Sequence, residues 1–284
     1  DWHYFLSGAG ALTGTSGLRV CAQMPDLQFG PLALVAAVPL RYLGPLHGWY
    51  VVSAAGMALG VVAIRVAEST AAELLGNDDD PALARAVLVG GAFVLAAWTS
   101  GAVTKGHPDD VLAMLGIAFA ARAASQKRWL LTSLLVGLAA AAKPWAMFAL
   151  PLAAAVPRAR WRGPAVALVV AIVPWLPFLV ADPKTLRVGS VHLPVNGLST
   201  LHALGLAVGS TPAWPREAQL VVAVALGFLA VRRGTWWLVP IIAAAVRVNL
   251  DPAAVDTYGM GVIYGALVWE LISTVRRWSP LISR

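Results

Sequence analysis

Residues 104–112 read TKGHPDDVL and stand between two apolar runs, residues 83–102 and 110–124. The first run has the roughly 20 residues that a helix needs to cross a bilayer. Ionisable side chains at the edge of a membrane segment cost free energy unless they are solvated or paired, so they are candidate functional residues. This stretch therefore predicts both a membrane-helix boundary and a place where chemistry is concentrated.

The composition of the whole chain is that of a membrane protein. Of its 284 residues, 59% are hydrophobic and only 12% are charged, about half the charged fraction of a typical soluble domain. Residues 164–180 and 254–274 are further long apolar runs. We predict one membrane-embedded domain over residues 1–284, an all-α polytopic bundle of transmembrane helices.

The charge and cysteine counts exclude several functions. The net charge of +7 arises from 21 basic and 14 acidic residues, but many arginines lie in short loops between apolar runs, which indicates membrane orientation and no nucleic-acid partner. Cys21 is the single cysteine, so the chain has no intramolecular disulfide, and an inert buried thiol is the simpler interpretation. No Gly-rich phosphate loop of the nucleotide-binding kind is present.

Basic clusters predict the topology. ASQKRW (124–129), VPRARWRG (156–163), VRRG (231–234) and TVRRW (274–278) are placed in the cytoplasm. About nine spans then fill residues 47–284: 47–66, 83–102, 110–124, 129–142, 144–156, 163–181, 217–231, 235–248 and 254–275. Residues 1–46 form an outer region with two non-spanning amphipathic helices, 1–12 and 30–43. A span at 30–43 would invert every later loop and place the basic clusters outside.

The polar residues of the outer face have structural as well as functional interpretations. Asp109 or Asp110 could cap the helix that follows, although two aspartates beside His107 exceed what a cap needs. Lys105 could be an interfacial residue whose ammonium reaches the headgroups. Lys143 stands where Pro144 breaks a helix, and an isolated lysine there favours an anionic partner.

Further candidates lie in the other outer segments. Arg247 either pairs with Asp251, four residues later, or contacts a ligand. The remaining polar residues predicted on this face are Asp1, Asp26, Gln28, His192 and Tyr258. Together the set indicates a site that binds an anionic group and uses a carboxylate as a base.

Several motifs on this face also match a known family. They are DWHYFLSGAGALTG (1–14) with LQFGPLALVAAVPL (27–40), GHPDDVLAMLGIAFAARA (106–123), GLAAAAKPWAMFALPL (137–152) and RVNLDPAAVDTYGMG (247–261). In this order and sidedness the chain resembles the GT-C membrane glycosyltransferases, in particular the actinobacterial type that uses polyprenyl-phosphate-mannose. The family's first spanning helix has no counterpart here, so we expect the natural chain to begin earlier.

The resemblance implies an inverting transfer of a sugar, with mannose the first expectation, from a polyprenyl-phosphate donor to a lipid or glycan acceptor. Asp1 corresponds to the catalytic base. Lys105, His107, Lys143 and Arg247 would bind the donor phosphate, and sugar or acceptor contacts would come from Asp26, Gln28, Asp109, Asp110, His192 and Tyr258. Some members of the wider superfamily use Mg²⁺ or Mn²⁺, which Asp109 and Asp110 would hold here, and others use no metal.

The resemblance also implies a multi-pass protein of the bacterial plasma membrane with its site facing outside. Two other functions stay open. A transporter or flippase of a lipid-linked or anionic substrate would also use broken helices, but such proteins place their polar residues near the bilayer midplane, often in inverted repeats. A structural subunit of a membrane complex would explain the hydrophobicity but not the clustered charges.

Overall fold

The structure, a computed structural model, describes residues 2–76, 81–190, 192–253 and 256–282. These residues form helices, turns and loops, and no strand occurs among them. The α-helices of eight or more residues are Trp2–Thr13, Pro31–Arg41, Gly44–Leu75, Pro81–Thr99, Pro108–Ser125, Trp129–Ala142, Arg162–Ile172, Pro215–Arg232, Val239–Leu250 and Gly259–Ile282. Shorter α-helices are Val20–Gln23, Leu176–Ala181 and Thr200–Ala203. The 3₁₀ segments are Gly17–Arg19, Pro25–Leu27, Pro144–Ala154, Pro157–Ala159, Val173–Trp175, Pro183–Ser190, Trp236–Leu238 and Asp256–Tyr258.

Among the residues that the structure describes, three helices are long and apolar enough to cross a membrane, by length and composition: Gly44–Leu75, Pro81–Lys105 and Arg162–Ala181. The other predicted spans are also helical, but they are shorter or less apolar, so the count of nine remains a prediction. Pro31–Arg41 has 11 residues, too few to span at 1.5 Å per residue.

Large apolar side chains are exposed on the candidate spans. Leu88 is 76% exposed, Phe93 65% and Val169 58%. A water-soluble protein rarely leaves so much contiguous apolar surface uncovered, whereas lipid chains solvate it without cost. These exposed apolar side chains agree with the membrane-spanning character of the three long helices.

The turn at GHPDD follows from its glycine and proline. The helix that begins at Pro81 ends in a π-helical turn, Ser100–Lys105, and Gly106 terminates it with a left-handed φ of +62°. Pro108 is the first residue of the next helix, where its missing N–H costs nothing. The turn therefore places Asp109 and Asp110 in the first turn of the helix Pro108–Ser125, where both side chains are buried.

A second break places Lys143. Proline at 144 disfavours the α conformation at the residue before it, and Lys143 is extended, with φ −142° and ψ 118°. The α-helix Trp129–Ala142 ends there and the chain continues as the 3₁₀ segment Pro144–Ala154. The extended backbone directs Lys143 away from the helix that precedes it.

The N-terminal region packs against this break. The Gly30 N–H donates to the carbonyl oxygen of Ala142 at 2.9 Å, and a Cβ built on Gly30 would lie 1.9 Å from the carbonyl oxygen of Ala141. Glycine is therefore required at position 30, and the contact fixes Gln28 beside the interior of the bundle.

Cys21 is buried in the same region, and burial raises the pKa of its thiol to about 11, which agrees with an inert residue.

Gly30→Ala is expected to destabilise the protein by about 1–3 kcal/mol or more, because the added methyl group overlaps a backbone carbonyl that cannot rotate away. Gly197→Ala is the matched control, since no atom lies within 4 Å of a Cβ built there. Thermal unfolding of the purified variants measures the difference. Equal midpoints for the two variants would contradict the close approach at Gly30.

Candidate functional site

Two carboxylates and two cations form a buried group that we call the Asp110 cluster: Asp109, Asp110, Lys143 and Arg247. Asp109 is 0% exposed and Asp110 2% exposed. The Lys143 ammonium pairs with Asp109, and Arg247 Nη1 lies 2.9 Å from Asp110 Oδ1. Since buried charges are costly unless paired and hydrogen-bonded, the equal numbers of positive and negative groups explain how four of them share this interior.

The guanidinium of Arg247 contacts two aromatic rings. Its Cζ lies 3.8 Å from the ring centroid of Tyr258 and 4.6 Å from that of Trp145. The Trp145 indole N–H also donates to Asp110 Oδ1 at 2.6 Å. Stacking and the ion pair together fix the plane of the guanidinium, so its remaining N–H groups have a defined direction.

Within the described ranges, one group of residues could hold a metal ion: His107, Asp109 and Asp110, since one ligand atom from each lies within 4.8 Å of the others. His107 Nδ1 is 3.4 Å from Asp109 Oδ1. However, the Lys143 ammonium contacts Asp109 and lies 3.9 Å from Asp110 Oδ2, so a divalent ion would have to displace it against charge repulsion. The residues do not fit a divalent ion while Lys143 holds this position.

We accordingly expect chelation to leave the activity proposed below within about twofold of its initial rate, because Lys143 and Arg247 already balance both carboxylates. The measurement compares the initial rate before and after EDTA dialysis. Loss of the rate after dialysis, with recovery on adding Mn²⁺ or Mg²⁺, would show that an ion replaces the lysine ammonium.

A large cavity lies beside the Asp110 cluster. Its volume is about 750 Å³, its walls are mostly apolar, and Lys143, Trp145, Arg247 and Tyr258 line it. Asp109 and Asp110 are not in its lining. They pair with Lys143 and Arg247 on the side away from the cavity. The Asp110 cluster therefore presents its two positively charged side chains, Lys143 and Arg247, to the cavity and keeps their counterions buried.

A second polar group lines the same cavity, and we call it the Asp251 cluster: Gln28, Arg216, Gln219 and Asp251. Arg216 Nη2 donates to Gln28 Oε1 at 2.6 Å. Asp251 is 8% exposed, and its Oδ1 accepts from the Ala253 N–H at 2.9 Å. Burial raises the pKa of the Asp251 carboxyl, although the Ala253 amide and the nearby guanidinium groups favour its charged form.

The structure brings most of the predicted site residues to one place. His107, Asp109, Asp110, Lys143, Arg247 and Tyr258 meet in or beside the Asp110 cluster, and Gln28 and His192 line the cavity. Within the described part of the chain, Lys105 and the exposed Asp26 neither line this cavity nor pair with the cluster. Asp1 lies outside the described residues.

The ion-pair partner of Arg247 and the N-cap of the helix Pro108–Ser125 differ from those that neighbouring residues suggest. Arg247 pairs with Asp110 and not with Asp251, because Asp251 follows the end of the helix Val239–Leu250 with an extended backbone, φ −81° and ψ 130°. The N-cap position belongs to His107, while Asp109 Oδ1 accepts from the Asp110 N–H at 2.9 Å. Asp109 thus satisfies one free N–H of the first turn and also pairs with Lys143.

Sequence reasoning missed Trp145, Arg216 and Gln219 as site residues. Trp145 follows Pro144 directly, so the motif KPW was a signal that could have identified it. Arg216 and Gln219 lie in the first two turns of Pro215–Arg232 and are three residues apart, a spacing that places two side chains on one helix face.

The fold and site define a class: an all-α protein with helices of membrane-spanning character, whose interior carries paired charges beside a large apolar cavity. Comparison with known proteins finds no matching family model, no similar curated protein and no similar solved structure. The relation to the GT-C glycosyltransferases therefore remains a proposal, argued below from the motifs and the geometry of the site.

Proposed function

We propose that the protein is an integral-membrane glycosyltransferase that moves a sugar, with mannose the first candidate, from a polyprenyl-phosphate donor to a lipid or glycan acceptor. The observation that carries the proposal is the amphipathic cavity: about 750 Å³ with mostly apolar walls, and with Lys143 and Arg247 in its lining. A donor with a lipid chain and an anionic headgroup matches both features. The basic loops support a site on the outer face of a bacterial plasma membrane.

The phosphate of the donor is the natural partner of the oriented guanidinium. Arg247 donates one N–H group to Asp110. Because a guanidinium has five N–H groups, several remain for phosphate oxygens. Fixed donors stabilise a leaving phosphate because they need no reorganisation as its charge grows. Lys143 adds a second positive charge in the same wall.

The reaction is a single displacement at the anomeric carbon. The acceptor oxygen forms a bond to that carbon while the bond to the phosphate oxygen breaks, which inverts the configuration. The acceptor proton passes to a carboxylate acting as general base, a role that the family resemblance assigns to Asp1. The polyprenyl phosphate leaves with the bonding electrons, and Arg247 and Lys143 stabilise its charge.

The test is transfer by the protein reconstituted in liposomes with radiolabelled polyprenyl-phosphate-mannose and a lipid-extract acceptor. We expect labelled product from the unmodified protein and a large loss in Asp1→Asn with its folding intact. Wild-type turnover in Asp1→Asn would remove Asp1 from the mechanism. A protein that binds the donor but forms no product with any lipid or glycan acceptor would contradict the enzyme.

A flippase is the second candidate, because the helices around the cavity are broken. Pro144–Ala154 and Val173–Trp175 are 3₁₀ segments that interrupt α-helical runs, and residues from both line the cavity. The same liposomes discriminate the two functions. Movement of a fluorescent polyprenyl phosphate between leaflets, with no glycosylated product, would favour the flippase.

A further inference from the structure

Four exposed arginines and an exposed tryptophan gather at one end of the bundle, and we call this group the arginine surface: Arg158, Arg160, Trp161, Arg162 and Arg232. The ring centroid of Trp161 lies 6.4 Å from that of Phe228. Arg232 follows Phe228 by one helical turn and lies on the same face of the helix Pro215–Arg232. The ring contact therefore brings two basic segments, distant in sequence, to one place.

Nearby carboxylates do not balance the positive charge of the arginine surface. The sequence has no acidic residue over 111–181 or over 218–250, and these two stretches contain all four arginines. In the part of the chain that the structure describes, none of the four forms an ion pair. Arg65, which is also exposed, instead pairs with Glu68. The arginine surface is therefore complementary to an anionic partner.

The position of the arginine surface indicates that this partner is a lipid. Trp161 is 73% exposed and directly precedes the candidate span Arg162–Ala181. Leu168 and Ile172, about two and three turns later, are exposed on the same helix face. Lipid chains that cover this face place their headgroups at the level of Trp161, where membrane proteins are rich in tryptophan. A guanidinium there meets phosphate with a planar set of N–H groups.

The arginine surface is separate from the cavity. Ile172 and Arg216 line the cavity, whereas Arg162 and Arg232 stand at the other ends of the same two helices. At 1.5 Å per residue, the separation is about 15 Å along the first helix and about 24 Å along the second. One headgroup therefore cannot contact both the arginine surface and the cavity.

We propose that the arginine surface binds the headgroups of anionic phospholipids in the membrane leaflet at this end of the bundle, which the predicted topology identifies as the cytoplasmic one. Membrane orientation requires only that basic residues lie on one side of the membrane. Four unpaired arginines around an exposed tryptophan additionally select among the headgroups of that leaflet. The inference goes beyond the proposed function, since it holds for a transferase and for a flippase.

The experiment measures lipid selectivity by native mass spectrometry. Delipidated protein in neutral detergent micelles receives equal amounts of phosphatidylglycerol and phosphatidylcholine with identical chains, and the bound lipids are counted. We expect phosphatidylglycerol to be preferred. We expect Arg158→Gln/Arg160→Gln to reduce the preference about tenfold or more, because each basic residue near an anionic surface contributes about fivefold. Glycerol 3-phosphate at the concentration of the lipid should not displace it.

Lys184→Gln/Arg187→Gln is the matched control, because it removes two exposed basic residues just beyond the other end of the span Arg162–Ala181. It should leave the lipid preference near that of the unmodified protein, and both double variants should keep its thermal midpoint. Equal binding of the two lipids by the unmodified protein, or the same loss in both double variants, would overturn the proposal. Displacement of the lipid by glycerol 3-phosphate would also overturn it, in favour of a soluble phosphate ligand.

Discussion

Asp110→Ala is expected to destabilise the protein by about 3–5 kcal/mol, the usual cost of removing one partner from a buried ion pair. Asp110 is 2% exposed, accepts hydrogen bonds from Arg247 and Trp145, and lies 3.9 Å from the Lys143 ammonium. The substitution leaves Arg247 in the interior without its counterion. Unfolding by SDS in mixed micelles, followed by tryptophan fluorescence, measures the loss.

The surface pair Arg65–Glu68 gives the comparison. Its nitrogen and oxygen are 2.7 Å apart, but Arg65 is 71% exposed, and pairs of this kind contribute about 0–1 kcal/mol. Glu68→Ala should therefore change stability little. The double variant Asp110→Asn/Arg247→Gln should lose less than the two single variants together, because it removes both charges. Additive losses would show that the two groups do not interact.

Arg247→Lys is expected to reduce kcat/KM for the donor about 100-fold or more, although the charge is retained. A lysine ammonium cannot lie flat against the rings of Trp145 and Tyr258, and it has no planar set of N–H groups to present to phosphate while it holds Asp110. Losing one oriented donor to a developing anion commonly costs 10²–10³ in rate. Initial rates at varied donor concentration, in the reconstituted transfer assay, measure the effect.

Arg233→Lys is the control for charge-conserving replacement, since Arg233 is exposed at the end of its helix. Its rate should match that of the unmodified protein. Tyr258→Phe keeps a ring against the guanidinium and should retain most activity, whereas Tyr258→Leu removes the stacking face and should lose activity. Full activity in folded Arg247→Lys would remove the guanidinium from donor recognition.

Local rules predict the parts of this site that are set by a few neighbouring residues. Gly106 and Pro108 end one helix and begin another, and Pro144 forces Lys143 out of its helix, so the positions of His107, Asp109 and Lys143 near helix ends follow from the sequence. The helix Gly44–Leu75 extends beyond the predicted span 47–66 and ends at Gly76, which has a left-handed φ of 66°.

Long-range partners could not be predicted in this way. Arg247 has an acidic residue four positions later, yet it pairs with Asp110, 137 residues away in sequence. Whether Arg247 pairs with Asp110 or with Asp251 depends on the direction of the backbone at Asp251 and on the packing of several helices. Neither can be predicted from the residues next to Arg247 in the sequence. The same is true of Trp145, whose role depends on its contacts with both Asp110 and Arg247.

The contact at Gly30 has a consequence for biosynthesis. The carbonyl groups that receive it belong to Ala141 and Ala142, which the ribosome adds more than a hundred residues after Gly30. At 5–20 residues per second this interval is on the order of 10 s. The segment around Gly30 is therefore synthesised well before its docking surface, and the side of the cavity formed by Gln28 can close only after Ala141 and Ala142 have been added.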